Sequence, residues 1–247
     1  MKSAGAGKAD RDRRAQLTRE QVVMAAIALA DRDGIESISM RRLAQELGIE
    51  AMSLYTHVRN KEDLLDGMVD AVIGMISVDA GAGATAWGTS LRRTALGARG
   101  VMLLHPWAPR TIETRAAPGP ASIGYVNEVL GILRRGGFPV GQAHHALHIL
   151  GSMLFGFTQN LFDDSPGPGP EAAPSLPEGF AAAFPYAAEM ALAVAHGGVL
   201  GPCDDDDEFK FALDFILDGL RRLRGSRGLL ADDAERRAGA AGSPESA

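Results

Sequence analysis

Residues 39–65 read SMRRLAQELGIEAMSLYTHVRNKEDLL, and the fold of the chain turns on how this stretch is parsed. Ser39 precedes Met40, Leu43, Ala44 and Leu47, which recur at helical spacing, and Gly48 follows the last of them. A hydroxyl satisfies one of the free N–H groups at a helix start, and glycine accepts the left-handed conformation that closes a helix. A second, very short helix is expected over roughly 51–57. Asn60 then caps another, with Glu62 and Asp63 in its first turn, where the helix dipole favours acids. Two helices joined by Gly48, Ile49 and Glu50 make the short glycine-containing connection of a helix-turn-helix. Ala44 leaves room for the crossing, and Ile49, Leu54 and Val58 are the residues that turn inward.

Upstream, Thr18 and Gln21 form a capping-box pattern that opens a first helix with Val22, Val23, Ala26, Ile27 and Ala30 as its stripe, ended by Gly34. With Val23, Ile27 and Leu43, the inward residues complete a three-helix core. That packing leaves Ala51, Met52, Ser53, Tyr55 and Thr56 at outward or N-terminal positions, from which a helix-turn-helix reaches base edges in the major groove. Tyr55, His57 and Lys61 carry hydroxyl, imidazole and ammonium donors suited to phosphate oxygens. The helix start behind Asn60 adds free N–H groups and a positive dipole end. Arg41 and Arg42 begin the preceding helix and reach the other side of the same groove. Polar helix pairs of this spacing also occur on surfaces that bind nothing, so spacing alone leaves both readings open.

The whole chain fits such a role. Its 247 residues are 46% hydrophobic and 23% charged, as in a soluble globular protein of one large or two small domains. A single cysteine, Cys203, excludes an internal disulfide framework. No apolar run approaches the roughly 18 residues of a membrane span, and the opening MKSAGAGKADRDRRAQ lacks the apolar region of a secretory signal. The expected location is cytoplasmic, with no membrane partner. Net charge is −6, but residues 1–16 carry five Lys or Arg against two Asp, and 17–62 carry six against seven acids. The acidity therefore lies in the C-terminal part, and the N-terminal part stays mildly basic.

The pattern divides the chain into a disordered basic arm at 1–16, a helix-turn-helix domain at 17–62, a larger helical domain at 63–224 and a disordered tail at 225–247. Helices are expected near 86–104, 121–136, 139–162, 179–196 and 206–224, with a mobile Pro/Gly-rich loop at 163–179. The helix opening at Asn60 should run to about Val78 and so touch both domains. No alternating strand appears, and the fold class is all-α.

Residues 17–65, LTREQVVMAAIALADRDGIESISMRRLAQELGIEAMSLYTHVRNKEDLL, resemble the DNA-binding domain of the tetracycline-repressor-like (TetR) family of bacterial regulators, in order and without gaps. The resemblance implies a homodimeric, ligand-responsive repressor with a double-stranded palindromic operator as one partner and a small-molecule effector as the other. It places base contacts on Arg41, Ala51, Met52, Ser53 and Thr56, and phosphate contacts on Tyr55, His57 and Lys61. Ala51 and Met52 cannot donate hydrogen bonds, so readout there should use apolar contact, for instance with thymine methyls.

Beyond residue 65 the similarity thins to helix order and local echoes, WGTSLRRTALGARGVMLLHPW, LRRGGF and LHILGSMLFGFTQN, of the tetracycline repressor's regulatory domain. The helix at 139–162 is apolar on two faces, so one side should meet an effector pocket and the other a partner subunit, although the second face would also suit packing into its own core. With the stripe Phe209, Leu213, Ile216, Leu217 and Leu220 of the last helix, it is expected to build a four-helix dimer interface. The expected pocket wall is His105, Trp107, His148, Phe155, Phe157 and Gln159, suiting a flat or greasy effector, unless these side chains close a solid core. The resemblance places His105 near the histidine of the tetracycline–magnesium chelate, but the matching acidic position falls near Asn160, a poor Mg²⁺ partner. His144, His145 and His148 are spaced as ligands but lack a nearby Cys or carboxylate, so neither a metal site nor a cofactor is expected.

Enzyme signatures are missing. There is no G-x-S-x-G or H-E-x-x-H, and SAGAGKAD at 3–10 lacks the spacing and the hydroxyl residue of a phosphate loop. The chain is read as no enzyme. An enzyme carrying a DNA-binding head and a constitutive DNA-binding protein without effector remain as rivals.

Overall fold

The computed structural model describes residues 17–79, 86–157, 178–193 and 205–225. The arm at 1–16, residues 163–177 of the loop, the tail from 226 and the pocket candidate Gln159 lie outside them. Every regular element among the described residues is helical.

The head forms as its caps dictate. Helix α1 (Arg19–Asp33) begins with the reciprocal bonds of a capping box between Thr18 and Gln21, and ends at Gly34. A 3₁₀ turn (Ile35–Ser37), which the apolar pattern does not announce, leads to α2 (Met40–Leu47), whose first turn is capped by the Ser39 hydroxyl accepting from Arg42 N. Gly48 sits at φ 65° and ψ 33°, the left-handed conformation that lets the chain reverse into α3 (Ala51–Leu54). Helix α3 is a single turn; residues 55–57 continue as turns. Leu43, Ala44, Leu54 and Val58 are buried with Val22, Val23, Ala26 and Ile27, while Ile49 packs partly buried against them.

Helix α4 (Lys61–Gly74) starts at Asn60, whose side chain accepts from Asp63 N. It ends at Gly74, short of the expected Val78: Met75 and Ile76 form tight turns on Val72 and Ile73, and the glycine and β-branched residues there favour leaving the helix. Arg19 binds α4 to α1. Its Nη1 donates to Asp63 Oδ2 at 3.0 Å and to the His57 carbonyl at 3.0 Å, and its Nη2 donates to Asp63 Oδ1 at 2.9 Å. The helices come so close that a Cβ on Gly67 would stand 3.1 Å from Val23 Cγ2.

The body wraps the rest of α4. Helices α5 (Trp87–Leu104), α6 (Ala108–Glu113) and α7 (Pro120–Arg135) all pack on it, and α8 (Val140–Gly156) packs on α5 and α7. Asp70 of α4 caps α7 by accepting from Ala121 N and Ser122 N. The expected helix at 139–162 closes its last described turn at Phe157. Where one helix was expected over 179–196, two short ones stand, α9 (Phe180–Ala183) and α10 (Pro185–Ala193). Pro185 explains the break, because it pushes the preceding Phe184 out of the helical region, to φ −135°. Helix α11 (Asp205–Gly225) buries Phe209, Leu213, Leu217 and Leu220 against α5 and α8.

The Arg19 guanidinium, with the Arg59 backbone N–H helping, holds the Asp63 carboxyl at about 2 against an ordinary 3.8. A depressed carboxylate contributes stability that is complete above its unfolded-state value and is lost as pH falls through the folded one. Asp63→Asn should therefore cost about 1–2 kcal/mol at neutral pH, with allowance for the water that reaches Arg19. In thermal melts from neutral pH down to about 2, the gap between variant and wild type should close only below about 4.

Candidate DNA-reading surface and effector cavity

The helix-turn-helix presents the side chains expected of a reading face. Met52 is 75% exposed on α3, Tyr55, Thr56, Arg41 and Lys61 are exposed, and Ala51, Ser53 and His57 are partly so. All lie on α2, α3, the turn after it or the first residue of α4. Thr56 Oγ1 donates to the Ser53 carbonyl at 2.7 Å, which fixes its hydroxyl hydrogen and leaves the oxygen free to accept. His57 is partly exposed, and its carbonyl is held by Arg19. Arg42, the other arginine at the start of α2, is taken up by Asp33 at 2.6 Å, and Arg32 by Glu46 at 3.1 Å. Arg59 adds an exposed cation beside Lys61, tied to Asp63 only by a long 3.5 Å contact.

Behind the head lies a cavity of about 560 Å³ within the body. Helix α4 supplies Val69 and Ile73, α5 supplies Leu91 and Met102, and α7 supplies Tyr125 and Val129. From α8 come Leu147, His148, Gly151 and Phe155. The wall is apolar with a few polar handles, the balance that holds a drug-sized ligand. Burial pushes the Tyr125 phenol up from its ordinary value, so its O–H stays neutral and available as a donor.

The six expected wall residues part company here. His148 and Phe155 line the cavity. Phe157 instead sets its ring edge-on against Phe209 of α11, with centroids 5.6 Å apart, and so closes the core. His105 and Trp107 stand at the junction with the head: Trp107 Nε1 donates to Asp31 Oδ1 at 2.7 Å, and His105 Nδ1 lies 2.9 Å from the same oxygen. The chain turns sharply between α5 and α6, which swings both rings from the cavity towards the end of α1. Asp31 and Arg115 escaped the sequence reading. Asp31 looks like a solvent-facing acid near a helix end, and Arg115 lies in the loop before Pro118, facing partners on α4 about 50 positions away. His144, His145 and His148 stack their rings at centroid distances of 5.6 Å and 4.5 Å, yet among the described residues no group of three or more His, Cys, Asp or Glu is arranged to hold a metal ion.

Comparison with known proteins agrees with this arrangement. Residues 22–68 match the family described as bacterial regulatory proteins, tetR family, and residues 81–224 match the tetracyclin repressor-like C-terminal domain. The HTH-type transcriptional repressor DrrR1 of Streptomyces coeruleorubidus is 31% identical over 85% of this chain and 80% of its own. An HTH-type transcriptional regulator of Saccharopolyspora erythraea is 38% identical, over 49% of this chain, and this chain spans about half of that relative's length (51%). Among solved structures, ActR of Streptomyces coelicolor in complex with actinorhodin superposes with a TM-score of 0.68 at 28% identity, covering 85% of this chain and 99% of that one. The chain belongs to the tetR family of bacterial regulatory proteins.

Lys61 has no ion-pair partner among the described residues and heads α4, so its assigned task is one phosphate. Lys61→Ala should weaken binding to every DNA sequence alike and lower the slope of log affinity against log salt by about one unit. Thr56→Ala should leave that slope unchanged and alter the order of preferred operators, by about 1–3 kcal/mol at the affected base pair. Anisotropy titrations over a salt series separate the two.

Proposed function

We propose that this chain is a transcriptional repressor that grips a palindromic operator as a homodimer in the cytoplasm and lets go when a flat, largely apolar compound enters the cavity. The observation that carries this reading is the sharing of one helix. The middle of α4 walls the cavity with Val69 and Ile73, while its first residue, Lys61, stands at the DNA face. A compound that displaces the wall moves the helix that carries the head.

Geometry makes a small movement sufficient. Two heads must sit about 34–36 Å apart to enter successive major grooves, so a slight swing of each α4 spoils the fit. Release further requires that the compound prefer the spread arrangement, since equal affinity for both would shift nothing. The apolar wall favours aromatic or polycyclic effectors over sugars or nucleotides. ActR, a relative with a similar fold, was solved with actinorhodin, which supports a small-molecule ligand in this domain.

The dimer surface we assign is the outer side of α8 and α11. Phe211 and Phe215, one turn apart on α11, are 71% and 67% exposed while the opposite stripe of the helix is buried. Val140 and Ile149 of α8 are likewise exposed beside α11. A large apolar patch of this kind marks an interface. Replacing Phe211 and Phe215 together by Glu should yield a monomer in analytical ultracentrifugation, with helical content retained and operator affinity largely lost. A dimer that persists in this variant would place the interface elsewhere.

The effector reading is tested by screening aromatic compounds for thermal stabilisation and then for operator release. A compound that stabilises the protein but leaves operator affinity unchanged would refute the coupling through α4. Chemical turnover of a bound compound would favour the rival reading of an enzyme with a DNA-binding head.

A further inference from the structure

Arg115 stands between two spaces. It lines the large cavity, and it also lines a smaller cleft whose other walls include Ile35, Glu36 and Lys61 of the head. Its Nη1 donates to Glu62 Oε2 at 2.7 Å and to Asp66 Oδ1 at 3.3 Å, and its Nη2 donates to Thr114 Oγ1 at 3.2 Å. The remaining nitrogen, Nε, is buried with no acceptor among the described residues. The Arg115 side chain is only 14% exposed, whereas Glu62 is 67% and Asp66 53% exposed. The cation is thus more shielded than either counter-ion: Glu62 faces water, and Asp66, at the edge of the cavity, is half exposed. Solvated partners hold a buried guanidinium weakly, and a buried donor without an acceptor is a standing cost that an incoming oxygen removes.

Among the described residues that line the cavity, Arg115 is the one arginine or lysine. Any negatively charged or strongly polarised oxygen on a bound compound therefore has one obvious destination. We propose that Arg115 selects effectors carrying a carboxylate, phenolate or comparable oxygen on an otherwise flat apolar frame, and signals their arrival to the head by giving up Glu62. The proposal rests on the effector reading above and adds to it the chemistry of the ligand and the first step of its signal.

The charges make the two halves of this role inseparable. Glu62 is the second residue of α4, between Lys61 at the DNA face and Asp63 at the anchor to α1. Its pair with Arg115 ties the start of α4 to the segment that follows α6. An anion at Arg115 satisfies the guanidinium and at the same time repels Glu62, whose side chain already faces solvent. The start of α4 then loses its tether to the body, while Asp63 keeps it fastened to α1. Selectivity for the ligand and loosening of the head come from the same oxygen.

An anthraquinone carboxylate and its methyl ester, which share a flat frame and differ in charge, test this on the full chain. Binding is measured calorimetrically and operator release by anisotropy for the wild type, R115Q, R115K and E62Q. The wild type should bind the carboxylate about tenfold more tightly than the ester. R115Q should lose that preference and R115K keep part of it. The preference is a ratio within each variant, so a purely structural loss of stability does not move it. E62Q should show weakened operator binding without any compound and a smaller additional release by the carboxylate. Equal affinity of the two compounds for the wild type, or an undiminished preference in R115Q, overturns the role of Arg115. If both compounds also release the operator from every variant, the effector reading stands without it. Failure of both compounds to bind the wild type counts against both readings.

Discussion

One carboxylate, Asp63, fastens three segments that sequence keeps far apart. It receives the Arg19 guanidinium from the start of α1, the Arg59 N–H from the turn after the reading helix, and belongs itself to the first turn of α4. Helices of eight and four residues cannot hold themselves in water, so α2 and α3 owe their orientation to this knot and to the apolar core beneath it. Because α4 also forms part of the wall of the body, the knot joins the DNA face and the cavity through a single rigid element. Beside it, the apolar packing of α4 on α1, with Leu64, Leu65 and Met68 in the same core as Val23, holds the head's direction.

The head was legible in the sequence because its signals are local. Thr18, Ser39, Asn60 and Gly48 each act on backbone groups within a few residues, and each stands in the structure where its chemistry puts it. The body was legible as helices and less so as a site. An aromatic residue after a proline carries no mark saying whether it faces a pocket or a neighbouring domain, and Trp107 is captured by Asp31 across 76 positions. Phe157 followed the apolar period of its helix faithfully, yet the period alone does not distinguish a wall from a core, and Phe209 decided it. Arg115 is the plainest case: a lone arginine in a loop acquires meaning only from two acids on α4.

Charge in the head is spent mostly on itself. Arg19, Arg32 and Arg42 are paired with Asp63, Glu46 and Asp33, and the last two pairs brace the ends of α1 and α2 against each other. What faces outward is a short set of cations, Arg41, Arg59 and Lys61, around an apolar centre at Met52 and Ala51. On the proposed function, so few free cations keep general affinity for DNA modest and leave discrimination to shape and methyl contacts on two half-sites. The net acidity of the chain lies in the body: residues 17–62 carry six Lys or Arg against seven acids, and Asp33 and Glu46 among these are already paired within the head.

The cavity has a further consequence, on the lifetime of the protein. Close-packed interiors do not leave a space of about 560 Å³ among apolar walls without loss of stability. Any compound that fills it stabilises the fold by mass action, by about 2.7 kcal/mol at a hundredfold excess over its dissociation constant. Proteases act on the unfolded fraction, so on the proposed function the empty protein, the one competent to hold DNA, is the one that turns over, and the occupied protein accumulates. A cell emerging from exposure to the compound would then hold an enlarged store of intact regulator. Silencing could resume by dissociation alone, without waiting for new synthesis.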